Sequence, residues 1–303
     1  MILKLIFKKI AAALPVLLLL FVCTRGLIRL LPGDPIETLI AESGSSLPIE
    51  FLRAELGLDR PFLLALGQDL LRWLGGDLGR SILSGQPVGP LLLSRLQSTF
   101  ILASCAWLSS LIFSLSLGCW SAVHPQGKVD RAGWAFTTLS AALPLPWLGP
   151  LLLIIFSLWI PISPVSGGLA LPTFTLALSI SGVWSRLVRN RTAEQLTHPS
   201  VSSARARGVS ELRVALKYGL APAAGGLMAY FTSQLGHLLA GSFVAELIFG
   251  WKGMGTLLIE AVLKRDYPVV EAGIFLSSAL IWLANTLGDI LQRIVDPRQR
   301  EAL

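Results

Sequence analysis

The sequence has 303 residues, of which 53% are apolar and only 14% are charged. A soluble domain does not have enough polar groups to cover that much apolar surface, so the composition excludes an ordinary soluble protein and predicts a chain that crosses a membrane several times. The net charge of +7 is better explained by basic residues collecting on the cytoplasmic side than by nucleic-acid binding.

Six apolar segments are each long enough to cross about 30 Å of hydrocarbon as a helix. They are roughly Ile10 to Leu31, Ser98 to Val123, Trp134 to Ile160, Leu169 to Val188, Leu220 to Ala245, and Ala272 to Ile294. The third and fourth are separate spans because the sequence from Pro161 to Gly168 breaks any helix and supplies a turn. An even number of spans places both termini on the same side of the membrane.

The distribution of Lys and Arg between the loops predicts the orientation. With the N-terminus inside, the cytoplasmic pieces hold 15 basic residues and the outer pieces hold 8. Because basic residues are enriched in cytoplasmic loops, both termini are predicted to be cytoplasmic.

The first span has a short charge-free run, from Ile10 to Thr24, which Arg25 and Arg29 follow. A cleaved signal peptide is the alternative to a retained helix, but no small-residue cleavage site follows the apolar run. Arg25 and Arg29 are four residues apart and so share one helical face near the outer surface. Their long side chains are expected either to snorkel to the lipid headgroups or to point into a polar pathway.

Between the first two spans, residues 32–97 form a hydrophilic outer segment that is too long for a simple turn. Its aromatic and leucine residues predict a small folded cap rather than a disordered tether, with an amphipathic helix around Phe62 to Leu74. The predicted organisation is an N-terminal tail and first span over residues 1–31, a cap over residues 32–97, and a core of five spans over residues 98–303.

A basic segment, Arg186 to Lys217, interrupts the core between two apolar runs. It carries seven Lys or Arg residues against two acids, Glu194 and Glu211. A polar loop this basic is predicted to face the cytoplasm, where it can meet a cytosolic partner. Residues 186–219 are therefore assigned as a cytoplasmic segment of the core.

Polar side chains within spans are candidates for function because they are costly in lipid unless they face protein or water. Gln234 and His237 lie on adjacent turns of the fifth span, and Asn285 and Asp289 are four residues apart on the sixth. Such residues either bind helices together or line a pathway. Glu246, at the outer end of the fifth span, is expected to pair with Arg25 or Arg29 at an outer gate.

The sequence lacks the parts that enzymatic chemistry would need. It has no Gly-x-x-x-x-Gly-Lys-Ser/Thr loop to bind ATP phosphates, and its three histidines and three cysteines have no metal-site spacing. The intramembrane serine and aspartyl protease patterns are also missing. We therefore expect a non-enzymatic chain that holds neither a cofactor nor a metal.

Several motifs occur together in order along the chain. They are Pro32 to Pro35, Leu56 to Pro61, Gly76 to Ser81, Ala204-Arg205-Ala206-Arg207-Gly208, Glu246 to Gly255, Arg265 to Pro268, and Asp296 to Arg298. Through this set the chain resembles the permease subunits of binding-protein-dependent ABC importers for oligopeptides, dipeptides and nickel, of the type with a long first periplasmic loop. The resemblance covers residues 1 to 300.

The resemblance implies an all-α type I permease with six transmembrane helices in the bacterial inner membrane. It implies a second homologous permease as partner, two ABC ATPases that bind ATP and Mg²⁺, and an extracytoplasmic solute-binding protein, besides membrane lipid. A short helix opened by Pro199 and ended by Gly208 would couple the chain to the ATPase. Close contacts with the ATPase would come from small residues of that helix, namely Ser202, Ser203, Ala204 and Gly208. Its positive charge would come from Arg205 and Arg207. The whole segment assigned to coupling is Ser202, Ser203, Ala204, Arg205, Ala206, Arg207, Gly208 and Val209.

Two other classes of function remain open at this point. An ion-coupled secondary transporter would be expected to show inverted repeats and a charged site at the midplane, and a receptor or scaffold would bind no ATPase. The residues do not identify the solute, because specificity in this architecture is largely set by the outer binding protein.

Overall fold

The computed structural model describes the backbone of residues 2–30, 61–160 and 168–295, and side chains in 7–26, 61–160 and 168–292. Predictions that fall on residues 31–60, 161–167 and 296–303 lie outside the described residues. Over the described ranges the chain is helical, apart from turns and one isolated bridge between Arg80 and Pro87. The long elements are α1 (Ile2–Leu30), α2 (Phe62–Leu74), α3 (Val88–Val123), α4 (Lys128–Ala142), α5 (Leu145–Leu153), α6 (Ala170–Leu196), α7 (Pro199–Ala206), α8 (Ala221–Ser233), α9 (Leu235–Phe249), α10 (Met254–Leu263) and α11 (Tyr267–Val295).

Two π-helical segments continue these elements. Ile154–Trp159 extends α5, and Val214–Leu220 joins the single turn Glu211–Arg213 to α8. The helix predicted around Phe62 to Leu74 is confirmed as α2.

Three helices in the described part of the chain are long and apolar enough to cross a membrane: Phe7–Gly26 within α1, the whole of α3, and Tyr267–Gln292 within α11. The number is five if each of two bent pairs, α4 with α5 and α9 with α10, counts as one span. The predicted span from Leu169 to Val188 is helical as part of α6, but α6 does not pass the same test. Its C-terminal part carries the charged residues that open the basic segment.

The predicted span from Trp134 to Ile160 is sharply bent, because α4 and its continuation meet at an angle of 108°. Leu143 has an extended backbone, with φ −101° and ψ 102°. Pro144 disfavours the helical conformation for the residue before it, which accounts for the break. The predicted span from Leu220 to Ala245 covers α8 and α9, which join at Gln234, where the backbone stays in the right-handed helical region at φ −86° and ψ −1°.

The chain forms two compact units, the first drawn from Met1–Thr99 and Lys252–Trp282. In this unit Trp73 of α2 packs edge-on against Phe21 of α1, with ring centroids 4.8 Å apart, and against Phe275 of α11, at 5.3 Å. Phe21 is 1% exposed. Through Trp73 the cap helix is packed on the first and last long helices.

The second unit is drawn from Phe100–Trp251 and Leu283–Leu303. Its helices approach closely at small residues: a Cβ on Gly182 would lie 2.6 Å from Ser140 Cβ. Hydroxyl groups bond across these contacts, with Thr137 Oγ1 donating to Gly182 O at 3.0 Å and Ser114 Oγ donating to Ser181 O at 3.2 Å. Small residues and hydroxyl-to-carbonyl bonds are the typical means by which helices associate in a membrane.

Candidate functional site

The predicted coupling helix is α7, and its ends have the geometry that the sequence suggested. Pro199 is its first residue, where a missing backbone N–H costs nothing, and His198 caps the helix by accepting from Ser200 N–H at 3.4 Å. At the other end Gly208 has φ +77°. Gly208 N–H donates to Arg205 O at 2.9 Å and Val209 N–H donates to Ala204 O at 3.2 Å, which is the Schellman arrangement.

The two faces of α7 differ in exposure, and this corrects one predicted contact. Val201 is 1% exposed and Ala204 is fully buried, so these two residues form the inner face that packs on the π-helical segment Val214–Leu220. Ala204 therefore cannot touch a partner, because residues three apart on a helix share a face and this face is turned inward. The outward residues are Ser202, Ser203, Arg205, Ala206, Arg207 and Gly208, with Val209 half-buried.

The two arginines of α7 are in different situations. Arg205 makes a two-pronged ion pair with Glu211, from Nε to Oε1 at 2.9 Å and from Nη2 to Oε2 at 3.1 Å. Arg207 is exposed and makes no ion pair among the described residues. Arg207 is therefore the cation of the pair that remains available to an acidic partner, while Arg205 ties the end of α7 to the turn that follows.

At the outer end of α1, Arg25 lies in a buried ionic cluster. Its Nε is 3.1 Å from Glu271 Oε2 of α11 and its Nη2 is 3.4 Å from Asp69 Oδ2 of α2. The side chains of Arg25, Asp69 and Glu271 are 11%, 10% and 2% exposed. The expected snorkelling of Arg25 to the headgroups is thus wrong, because a buried guanidinium between two carboxylates is held by protein charge. The side chain of Arg29 lies outside the described residues.

A second polar contact joins the cap to the start of α11. Ser81 Oγ donates to Asp266 Oδ2 at 2.5 Å, and Ile82 N–H donates to Oδ1 at 3.1 Å. Burial raises the pKa of Asp266, while these two hydrogen bonds partly offset that effect. This contact joins two sequence motifs that are far apart in the chain, Gly76 to Ser81 and Arg265 to Pro268.

The remaining predicted pathway residues lie on α9, on α11 and at the join between α8 and α9. Asn285 packs against α9 at Gly236, where any Cβ would overlap its amide. Gln234 is half-buried at the break between α8 and α9, and His237 is exposed. Glu246 is fully buried near the end of α9, where its carbonyl accepts from Trp251 N–H at 2.9 Å, and Asp289 is half-buried on α11.

Sequence reasoning missed Asp69 and Glu271 as the partners of Arg25, and it missed the ion pair of Asp130 with Arg189. That pair is two-pronged, with both N to O distances 3.1 Å. One available signal was Glu271 itself, an acid directly before the last apolar run, where a carboxylate is costly unless it is paired. Among the described residues no group of three or more His, Cys, Asp or Glu is placed to hold a metal ion.

Comparison with known proteins agrees with this architecture. Residues 114–301 match the family described as binding-protein-dependent transport system inner membrane component. The chain also has the fold of the permease in an inward-facing structure of the MetNI methionine ABC transporter. That match has a TM-score of 0.58 and 20% identity, and covers 68% of this chain and 96% of the other.

Relatives of known name align over almost the whole length. The glutathione transport system permease protein GsiC of Pectobacterium atrosepticum is 35% identical over 298 residues, covering 97% of both chains. A candidate peptide transport system permease of Brucella abortus is 34% identical over 309 residues, covering 98% of both chains. The chain therefore belongs to the family of binding-protein-dependent inner-membrane permeases, transport subunits of ABC importers that work with ATPase and binding-protein subunits and are not themselves enzymes.

Proposed function

We propose that this chain forms one half of the translocation path of an importer for short peptides, paired with a second, homologous permease. The named relatives support the solute class, since one is a glutathione permease and another a peptide permease. A nickel or other metal chelate is the second candidate, supported only by the sequence resemblance. On this proposal two ATPase subunits bind ATP and Mg²⁺, and a solute-binding protein docks on the outer cap.

The observation that carries the coupling role is the two-sided construction of α7. Its inner face is fixed by Val201 and Ala204, while its outer face presents serines, Ala206 and Arg207, which makes no ion pair within the described part of the chain. The π-helical segment Val214–Leu220 beneath α7 also packs on α6 and runs directly into α8. A force applied to α7 by an ATPase would therefore reach two long helices of the second unit without passing through a loop.

The test is affinity purification of the detergent-solubilised chain from its native membrane, followed by mass spectrometry. Wild type is expected to bring a second permease and ATPases, whereas Gly208→Arg keeps the permease, loses the ATPases and abolishes peptide uptake. A Cβ at Gly208 meets no atom within 4 Å. The substitution therefore acts by straining the left-handed turn, at a cost of about 1–2 kcal/mol, and by placing bulk on the outer face.

Gly76→Arg is the matched control, because Gly76 also has a positive φ, +85°, and also has open space around its Cβ position. It lies in the cap, so ATPase binding should be unchanged. Retention of the ATPases by Gly208→Arg would refute the coupling role of α7, and their absence from the wild-type sample would refute the importer assembly. Uptake of a metal chelate but of no peptide would favour the second candidate.

A further inference from the structure

The cap helix α2 exposes an apolar face beside the face that packs on the protein. Its inner face contacts α1 and α11 through Asp69 and Trp73. On another side, four leucines are between 62% and 78% exposed: Leu63, Leu64, Leu71 and Leu74. They share one arc of about 100°, because each residue of a helix turns by about that angle. Gln68 and Arg72, which are also exposed, lie beyond one edge of this leucine face.

The contacts between α2 and α1 fix the direction of α2. Asp69 lies 3.4 Å from Arg25, and four residues later Trp73 packs on Phe21 at 4.8 Å. Forward along α2 is therefore backward along α1, from the outer end of the span towards its middle. Phe21 lies five residues before Gly26, the last residue of the apolar segment of α1. At about 1.5 Å per residue, Trp73 is about 7 Å below the outer end of that segment.

The contacts with α11 give a similar depth independently. Trp73 contacts Phe275 at 5.3 Å, and one turn earlier Glu271 shares the guanidinium of Arg25 with Asp69. α2 and α11 therefore run in the same direction. Phe275 is eight residues after the start of α11, which is about 12 Å along the helix. Because the hydrocarbon core is about 30 Å thick, both spans place the second half of α2 within the outer leaflet.

The chain returns to the side from which it entered. The end of α2 is closed by the turn that follows it. Gly76 N–H donates to Trp73 O at 2.9 Å, and Asp77 N–H donates to Arg72 O at 3.0 Å. Ser81 then bonds to the residue directly before α11, at the outer end of that span. A helix that ends within a bilayer needs its carbonyls bonded in this way, because lipid offers no hydrogen-bond donor.

We propose that α2 is a re-entrant helix whose leucine face contacts the acyl chains of the outer leaflet. Helices that associate inside a membrane approach at small residues, whereas this face has four leucines and one glycine, Gly67. Its composition therefore favours lipid over a second permease as the occupant. The polar strip with Gln68 and Arg72 lies to one side. Arg72 is paired with Asp77 at 2.9 Å, and its long side chain can reach towards the headgroups.

The experiment uses the full chain, purified with its partners and reconstituted in phosphatidylcholine vesicles. The native Cys23, Cys105 and Cys119 are replaced by serine, and a nitroxide is attached to single-cysteine variants: Leu63→Cys, Gln68→Cys, Leu71→Cys and Leu74→Cys. Electron paramagnetic resonance then compares collisions with oxygen, which concentrates in lipid, and with a water-soluble nickel chelate.

We expect the labels at Leu71 and Leu74 to favour oxygen and the label at Gln68 to favour the nickel chelate. Eleven residues separate Leu74 from Leu63, so the label at Leu74 should lie up to about 16 Å deeper. Preference for nickel at Leu71 and Leu74 would place the face in water, and access of neither reagent would mean that protein covers it. Equal depths of Leu63 and Leu74 would mean that α2 lies flat. Each of these three results would overturn the proposal.

Leu71→Lys in the chain with its native cysteines keeps the proposal testable if the cysteine replacements disturb folding. Leu71 is 71% exposed, so the substitution would be close to neutral if this face were in water. On a lipid-facing surface the lysine is costly, and the thermal unfolding temperature in vesicles should fall more than it does for Gln68→Lys, the matched control on the polar strip. Equal shifts for the two variants would contradict lipid contact.

Discussion

Arg25 is the residue whose removal should affect stability most. Glu271 is 2% exposed and Asp69 lies on the other side of the guanidinium. In Arg25→Gln the Glu271 carboxylate would remain buried without its cation, which typically costs about 3–5 kcal/mol. We expect a large fall in the thermal unfolding temperature of the purified protein, measured by intrinsic tryptophan fluorescence in detergent.

Arg72→Gln is the control for that change, since the Arg72 to Asp77 pair is short, at 2.9 Å, but 40% and 58% exposed. Such a pair contributes at most about 1 kcal/mol. The double variant Arg25→Met with Glu271→Met should recover much of the loss, because it removes two opposite buried charges together. Equal effects of Arg25→Gln and Arg72→Gln would contradict the buried cluster.

Asp266 should make the folded protein more stable as pH falls, because its pKa is raised in the folded state. Burial raises the pKa of Asp266 in the folded protein above its value in the unfolded chain. The folded state therefore binds the proton more readily, and the free energy of unfolding contributed by this group falls as pH rises through that range. Relative to Asp266→Asn, wild type should gain stability as pH falls from neutral towards the ordinary aspartate pKa of 3.8.

The measurement is a series of thermal melts of both proteins in detergent at half-unit pH intervals. The difference between wild type and Asp266→Asn isolates this carboxyl group, because the other titrating groups are common to both. Two curves that stay parallel, or a difference that grows in the other direction, would show that Asp266 has no raised pKa.

At the scale of the element, the contact between α4 and α6 depends on Gly182. A Cβ there would lie 2.6 Å from Ser140 Cβ and 3.2 Å from Thr137 Cα. Gly182→Val must push the two helices apart, and overpacking of this kind costs about 1–3 kcal/mol. Gly226→Val is the control on α8, where a Cβ meets nothing within 4 Å. Thermal melts should show a clear loss for the first variant and little change for the second, and equal losses would argue against the close approach.

The elements that could be predicted from sequence are those whose signal is local. The helix Phe62–Leu74 follows from its amphipathic spacing, and the ends of α7 follow from Pro199 and Gly208. The bend after α4 was also encoded locally, at Leu143-Pro144, but a hydropathy window averages over it.

The site residues also include some whose position follows from a local sequence signal and some whose position depends on the tertiary fold. Ser202, Ser203 and Arg207 are exposed, as their polarity predicts. Ala204 is small and apolar, so its sequence does not decide between the exposed and the buried face of α7, and the structure buries it. The partners of Arg25 come from α2 and α11, which are distant in the chain. Only the tertiary fold brings those carboxylates to one guanidinium, so no spacing in the sequence identifies them.

At the scale of the whole molecule, composition predicts six membrane crossings, and the described helices account for three to five of them. Membrane orientation also rests on the excess of basic residues in alternate loops. Both can be measured at three exposed positions: Gln86 before α3, Lys128 at the start of α4, and Thr197 after α6. With the native Cys23, Cys105 and Cys119 replaced by serine, each position can carry a single cysteine.

A membrane-impermeant maleimide should label Gln86→Cys in intact cells, and Lys128→Cys and Thr197→Cys only after the membrane is opened. Gln86 and Lys128 are separated by α3 alone, so opposite sides mean one crossing and fix the direction of the chain. Lys128 and Thr197 enclose the bent pair α4 and α5 together with α6, so the same side means an even number of crossings between them, as expected if the pair and α6 each cross once. Labelling of Thr197→Cys from outside would instead mean that only one of the two crosses, which would place the coupling helix α7 on the side opposite to any ATPase.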